Sequence, residues 1–248
     1  MNKYAEDNRR IKKGVKVLAE EGLLVFLVKS FKYFKRFLLR LLSPIIIPLK
    51  LKNKFFFQNQ VFNYFYHKNN LTWTNERAVE IPIVMGYLNN FKAGRILEVG
   101  AVLPQYFPMK WDVLDKFEKG KGIINEDVVN FKPKNKYDLI ISISTLEHVG
   151  FDDDIKEPEK ILKALKNLIV NGLNKNGKMI VTLPLGYNHA MDSLLFSGKL
   201  NFDRIFFMKR VSRNNQWKEI DIENAKGARY GKPYLAANVL AIGILEKK

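Results

Sequence analysis

The chain has 248 residues, no cysteine, 47% apolar residues and a formal charge of +17 at neutral pH. That length suits one generous domain, or a domain with an appendage, and the apolar share supports a sizeable core. The absence of cysteine excludes disulfides, thiolate metal sites and cysteine nucleophiles, and it suits a reducing compartment.

The charge is unevenly placed. Residues 1–70 carry fifteen Lys/Arg and four Asp/Glu, a net +11, and the remaining 178 residues carry only +6. The excess belongs to the N-terminal segment, which is therefore expected to meet an anionic surface. No secretory signal is expected, because the first apolar run begins near Gly22 and no small-residue cleavage site follows it. No run reaches the ~18 apolar residues of a membrane span.

In chain order, the first periodic segment is 22–42. Lys29, Lys32, Lys35, Arg36 and Arg40 fall on one arc at helical period, with Leu24, Leu27, Phe31, Phe34, Leu38 and Leu41 opposite. Pro44 and Pro48 bracket Ile45–Ile47 and are expected to stop the helix. This pattern fits a helix lying in a membrane interface, with residues 22–50 against an anionic surface. A helix packed on the protein's own core and a nucleic-acid-binding arm are the alternatives. The aromatic residues Phe55–Phe57, Phe62, Tyr64, Phe65 and Tyr66 either extend that surface or form the seam between the N-terminal segment and the catalytic domain.

Thr74 is the expected N-cap of a helix over about 75–89, interrupted by Pro82. Strands are expected at 95–100, 111–115, about 122–125, 138–144 and 178–184, with a helix over about 157–173. Lys175–Gly177 forms the turn into the last of these strands. Strands alternating with helices imply a parallel, Rossmann-like α/β sheet with ligands at its carboxyl edge. The runs 204–211 and 238–246 have no helix between them and suggest an antiparallel closing pair. The domains read as 1–70, a basic amphipathic extension, and 71–248, a catalytic α/β domain.

Chemistry-bearing residues collect at the ends of these strands. Gly100 lets the chain turn tightly after a buried strand, and Glu98 either orients that loop or meets a cationic ligand. The loop continues Ala101-Val-Leu-Pro104 without further glycines, so a pyrophosphate cradle is disfavoured. Asp115 suits the hydroxyls of a ribose, or else is a solvated turn residue. Asp127 suits an adenine amino group, or else caps a helix. His148 is a candidate general base, with Glu147 beside it, against a structural role in capping or packing. His189, near Asp192, is a second candidate. Asp152–Asp154 reads as a solvated helix start, and no metal site is assigned.

The segment from about Asn75 to Ile244 resembles class I S-adenosylmethionine-dependent methyltransferases, and more narrowly a branch found with glycan and lipid-linked saccharide biosynthesis. The residues that carry this are Ile96-Leu-Glu-Val-Gly100, Val113-Leu-Asp115, Ile124-Asn-Glu-Asp-Val128, Tyr137 to Gly150 and Gly177 to Pro184. The resemblance implies a seven-stranded sheet whose last strand is antiparallel. It also implies S-adenosyl-L-methionine as cofactor, with contacts at Glu98, Gly100, Ala101, Asp115, Asp127, Val128 and Ser144. The first loop departs from the family by keeping a single glycine.

For the acceptor, the missing cysteine excludes carbon-5 pyrimidine chemistry. Ser144-Thr-Leu-Glu147 disfavours exocyclic amino methylation of flipped bases. The expected reaction is methyl transfer to a hydroxyl of a saccharide or lipid-linked glycan, on the inner, cytoplasmic face of a membrane. Within 186–235, Arg204, Lys209, Arg210, Arg213, Trp217 and Tyr234 are candidate acceptor contacts, with Trp217 stacking on a sugar. An RNA methyltransferase with a basic arm and an inactive cofactor-binding scaffold are the alternatives.

Overall fold

The computed structural model describes residues 20–248. The first nineteen residues of the expected extension lie outside that range. The chain divides into two compact units, the first ending at Leu49 and the second running Lys50–Lys248.

The described part of the first unit is helical. Helix α1 spans Leu23–Leu41 and has no buried residue. Its apolar side chains are open to solvent, with Leu24 76%, Phe31 68% and Phe34 56% exposed. The chain does not simply stop at Pro44. A second helix, α2, runs Ser43–Lys50 with Pro44 in its first turn and Pro48 inside it. A proline in the first turn costs little, because that N–H has no intrahelical partner in any case. Among the described residues, no helix is long and apolar enough to cross a membrane.

The second unit opens with a hairpin of β1 (Lys54–Phe57) and β2 (Gln60–Asn63). Phe55, Phe57 and Tyr64 are buried in a cluster with Ile81, Val84, Leu139 and Ile141. Residues 54–66 therefore belong to the packed core of the second unit, through burial of their aromatic rings, rather than to an extension that reaches residue 70. Helix α3 runs Arg77–Asn90, continuous through Pro82. It starts later than expected. Thr74 Oγ1 donates to the Leu71 carbonyl, while the Arg77 amide donates to Asn75 Oδ1.

The sheet contains β3 (Ile96–Val99), β4 (Asp112–Leu114), β5 (Ile123–Ile124), β6 (Tyr137–Ile143) and β7 (Leu173–Pro184). It is completed by β8 (Arg204–Arg210), β9 (Trp217–Ile220) and β10 (Val239–Glu246). The order is β5-β4-β3-β6-β7-β10-β8-β9, so there are eight strands where seven were expected. The eighth, β9, is an edge strand paired antiparallel to β8. The pairs from β5 through β7 are parallel. Strand β10 inserts antiparallel to both β7 and β8.

Side-chain alternation along β6 fills both faces. Leu139, Ile141 and Ile143 pack toward α3 and the hairpin, whereas Ile140 packs into the cluster of helix α4 (Lys160–Asn167). Helix α4 begins later than expected and ends in a π turn over Leu168–Gly172. The chain then enters β7 directly, and Lys175–Gly177 lies inside that strand, where its register against β6 shifts. Helix α5 (His189–Phe196) covers the same face as α4.

At Gly243 of β10 an added Cβ would stand 2.4 Å from the Phe202 ring. Gly243→Ala is expected to lower unfolding free energy by about 1–3 kcal/mol. Urea denaturation followed by circular dichroism will measure it, and an unchanged midpoint would contradict this packing.

Candidate active site

Strand order reverses between β3 and β6: from β3 the sheet proceeds through β4 and β5, and from β6 through β7. Such switch points open a crevice at the carboxyl edge. The residues expected to carry chemistry are brought to this edge, though several take different partners from those expected.

Glu98 is fully buried. Its Oε1 accepts from the amides of Val102 (2.9 Å) and Leu103 (2.7 Å), and its Oε2 accepts from Trp111 Nε1 (2.8 Å). Burial pushes this carboxyl up to about 7, against three donors that favour the anion. Glu98 thus bonds the backbone of the loop that follows its own strand. Gly100 sits at φ 90°, and an added Cβ would stand 2.0 Å from Thr145 Oγ1. The glycine therefore serves contact between the ends of β3 and β6.

Asp115 ties two loops together. Its Oδ1 accepts from the Phe117 and Glu118 amides, both at 2.8 Å, and its Oδ2 accepts from Ala101 at 3.1 Å. Since a carboxylate oxygen carries two lone pairs, Oδ2 keeps capacity for a ligand hydroxyl. Asp127 is differently engaged. Its Oδ2 lies 2.9 Å from Lys160 Nζ and 3.1 Å from Lys116 Nζ, and both lysines also hold Asp153. Burial alone would raise Asp127, but the two ammonium groups outweigh it and hold the carboxyl below its usual range. The side chain of Val128 is buried and its carbonyl accepts from Asn167 Nδ2.

Ser144, at φ 39°, turns inward. Its Oγ donates to Glu80 Oε1, which also accepts from Thr182 Oγ1 at 2.7 Å, and Arg77 Nη1 bonds the other Glu80 oxygen at 2.6 Å. Glu76 and Glu147 join this group, both buried. Burial, followed by the charge of Glu80, raises Glu76. Burial also drives Glu147 well above the usual carboxylate range.

His148 lies on the 3-10 turn Leu146–His148, its side chain 45% exposed. Nδ1 is 2.5 Å from Asp152 Oδ2 and Nε2 is 3.4 Å from Glu147 Oε1. The Tyr187 hydroxyl donates to the same Asp152 oxygen at 2.8 Å. Burial would raise Asp152, but its bonds from His148 and Tyr187 hold it low. The Tyr187 ring packs edge-on against His148, Phe151 and Tyr230. His148 is thus an oriented imidazole, while His189 is 82% exposed and 4.0 Å from Asp192. No cluster of metal-ligand type occurs among the described residues.

Two expected acceptor contacts have structural roles instead. Trp217 is 4% exposed, and its Nε1 donates to Asn215 Oδ1, so it offers no face to a sugar. Arg210 is buried and donates to the carbonyls of Thr74, Ser212, Arg213 and Leu235, with Tyr234 packed on its guanidinium. Arg204 pairs with Glu246. Sequence reasoning missed Glu76, Arg77, Glu80, Asp152 and Tyr187. The signals were an acid inside the apolar run Ala78–Ile83 and an aspartate four residues after His148. A separate groove of about 290 Å³, lined by Met85, Leu88, Ile96, Phe107 and Trp111 among others, lies toward the amino end of β3, away from this edge.

No family model matches the chain, and no curated protein matches it. Among solved structures it is similar to the N-methyltransferase NodS of Bradyrhizobium japonicum in complex with S-adenosyl-L-homocysteine, at 11% identity and a TM-score of 0.46, covering 69% of this chain and 87% of that one. It is also similar to the 1,6-didemethyltoxoflavin-N1-methyltransferase of Burkholderia thailandensis, at 14% identity and a TM-score of 0.43, covering 79% and 99%. An rRNA methylase of Streptococcus thermophilus shares 10% identity with a TM-score of 0.39, covering 68% and 97%. At such identities no activity carries across.

Glu98→Gln places an amide NH2 against either the indole N–H or the two loop amides. The Val102 and Leu103 amides are expected to exchange at least tenfold faster, about 1.4 kcal/mol of lost protection. Hydrogen exchange read by NMR will test this.

Proposed function

We propose that the chain is an S-adenosylmethionine-dependent methyltransferase. The observation that carries this reading is the convergence, at one switch point, of a loop shaped by Glu98, a half-buried Asp115 with a free lone pair and the oriented pair His148–Asp152. When bound, the cofactor supplies an electrophilic methyl on a sulfonium and leaves as a neutral thioether.

The residues fit that group in a particular way. Asp115 takes the ribose hydroxyls through the remaining capacity of Oδ2. The Val102 and Leu103 amides are spent on Glu98, so this loop offers them to no phosphate, in keeping with a donor that has none. Asp127 shapes the far end through its lysine pairs rather than by binding an adenine amino group directly.

For the acceptor, the finer reading is a hydroxyl of a saccharide or lipid-linked glycan. A hydroxyl must lose its proton as its oxygen takes the methyl, and His148 Nε2 is placed to receive that proton while Asp152 holds Nδ1. Methyl transfer is otherwise a matter of alignment. Location at an anionic membrane surface is supported by the exposed Leu and Phe residues of α1 together with its lysines. The net +11 of residues 1–70 supports a second reading, in which the same basic arm grips RNA.

Asp115→Ala is expected to weaken S-adenosylmethionine binding at least tenfold by calorimetry, or ~1.4 kcal/mol. Unchanged affinity would remove the ribose role. Full-length protein is expected to float with vesicles containing anionic lipid, and Phe31→Glu with Phe34→Glu should abolish flotation. Steeply salt-dependent RNA binding without flotation would favour the RNA reading instead.

A further inference from the structure

We propose that Glu76, Glu80 and Glu147, gathered around Arg77, form a site for the positive end of a small organic ligand held at the β3–β6 switch point. This rests on the methyltransferase reading, under which that positive end is the donor's sulfonium.

The placement follows from the strand order. With the ribose at Asp115, beyond β4, a ligand crossing the end of β3 reaches the end of β6. That end carries Ser144, hydrogen-bonded to Glu80, and three residues later Glu147. Three carboxyls meet two guanidiniums, Arg77 among them and Arg210 on the side of Glu76. Arg77 and Glu80 satisfy each other at 2.6 Å, and Glu76 Oε2 accepts from the Ala237 amide at 3.1 Å. Glu147 is different. It is 1% exposed, and its Oε2 has no hydrogen-bond partner among the described residues. A buried carboxyl oxygen left without a donor is costly, and a positive charge set beside it lowers that cost.

The other groups facing this cluster are His148, 3.4 Å from Glu147, the guanidinium of Arg210 beside Glu76, and the hydroxyls of Tyr106, Tyr187 and Tyr230. The Tyr187 and Tyr230 hydroxyls are raised, first by burial and then by Asp152 for Tyr187 and by Glu76 for Tyr230. Burial, with mutual repulsion, holds Glu76 and Glu147 toward their protonated forms in the free protein. A positive ligand end beside them favours the anions, so its binding releases protons and strengthens as pH rises. The product of transfer has lost that charge. The cluster therefore holds the donor and lets the product go.

The test is calorimetry on the full chain with S-adenosylmethionine and S-adenosylhomocysteine, in two buffers of different ionisation enthalpy and at pH 6 and 8. The expected result is at least tenfold tighter binding of the sulfonium compound, with proton release that the thioether does not produce. Glu147→Gln should lower that release, and His148→Gln should leave it in place. Equal affinity and equal proton counts for the two ligands would overturn the cation site while leaving the methyltransferase reading intact. Release that survives Glu147→Gln and vanishes in His148→Gln would also overturn it. If neither compound binds, the methyltransferase reading itself fails, and this inference with it.

Discussion

The carboxyl edge of the sheet is organised around one buried anion. Glu80 is fully buried and takes donors from three separate elements: Arg77 within α3, Ser144 after β6 and Thr182 on β7. A buried charge without such partners is prohibitive, so these contacts act together and pin helix α3 to the sheet edge. Ser144 holds a left-handed backbone at φ 39°, a conformation costly for a non-glycine residue and kept here by the bond to Glu80. The same bond decides where Glu147 and His148 stand, since both lie within one short turn of Ser144.

A second internal carboxylate, Glu98, does for the β3 loop what additional glycines do elsewhere. Glycine-rich loops leave their amides pointing outward for a phosphate. Here two successive amides point inward to Glu98, which frees Val102 and Leu103 to carry buried side chains. The loop loses anion-binding capacity and gains rigidity. Asp115 completes the arrangement by accepting from Ala101, which links the two loops. The reduced glycine content is then a different way of holding the same turn.

Charge elsewhere is sorted by burial. The Lys116, Lys160, Asp127 and Asp153 quartet is partly open to water and balances itself. The acids near Arg77 are buried and outnumber the guanidiniums beside them. Helix α1 shows the opposite condition, apolar residues left in water, which its unit does not cover. Both are departures from the usual sorting of polar and apolar groups.

Much of the fold could be read from residues alone, because strand and helix periodicities are local properties. The runs around Leu97, Val113 and Ile141 are almost continuously apolar and buried, as a sheet covered on both faces requires, and Gly100 marked the first turn. The eighth strand was not legible. Trp217–Ile220 is a short edge segment whose pairing depends on β8 lying beside it. The aromatic run at Phe55 was ambiguous for a related reason: sequence records that rings must be covered but not by which residues. At the site, sequence identified which acids and imidazole stand at strand ends. It could not say that Asp127 faces two lysines, that Trp217 is enclosed, or that Glu80 answers Ser144 from 64 positions away. Those pairings join residues distant along the chain, and only the closing of the sheet against α3 brings their charges within bonding distance.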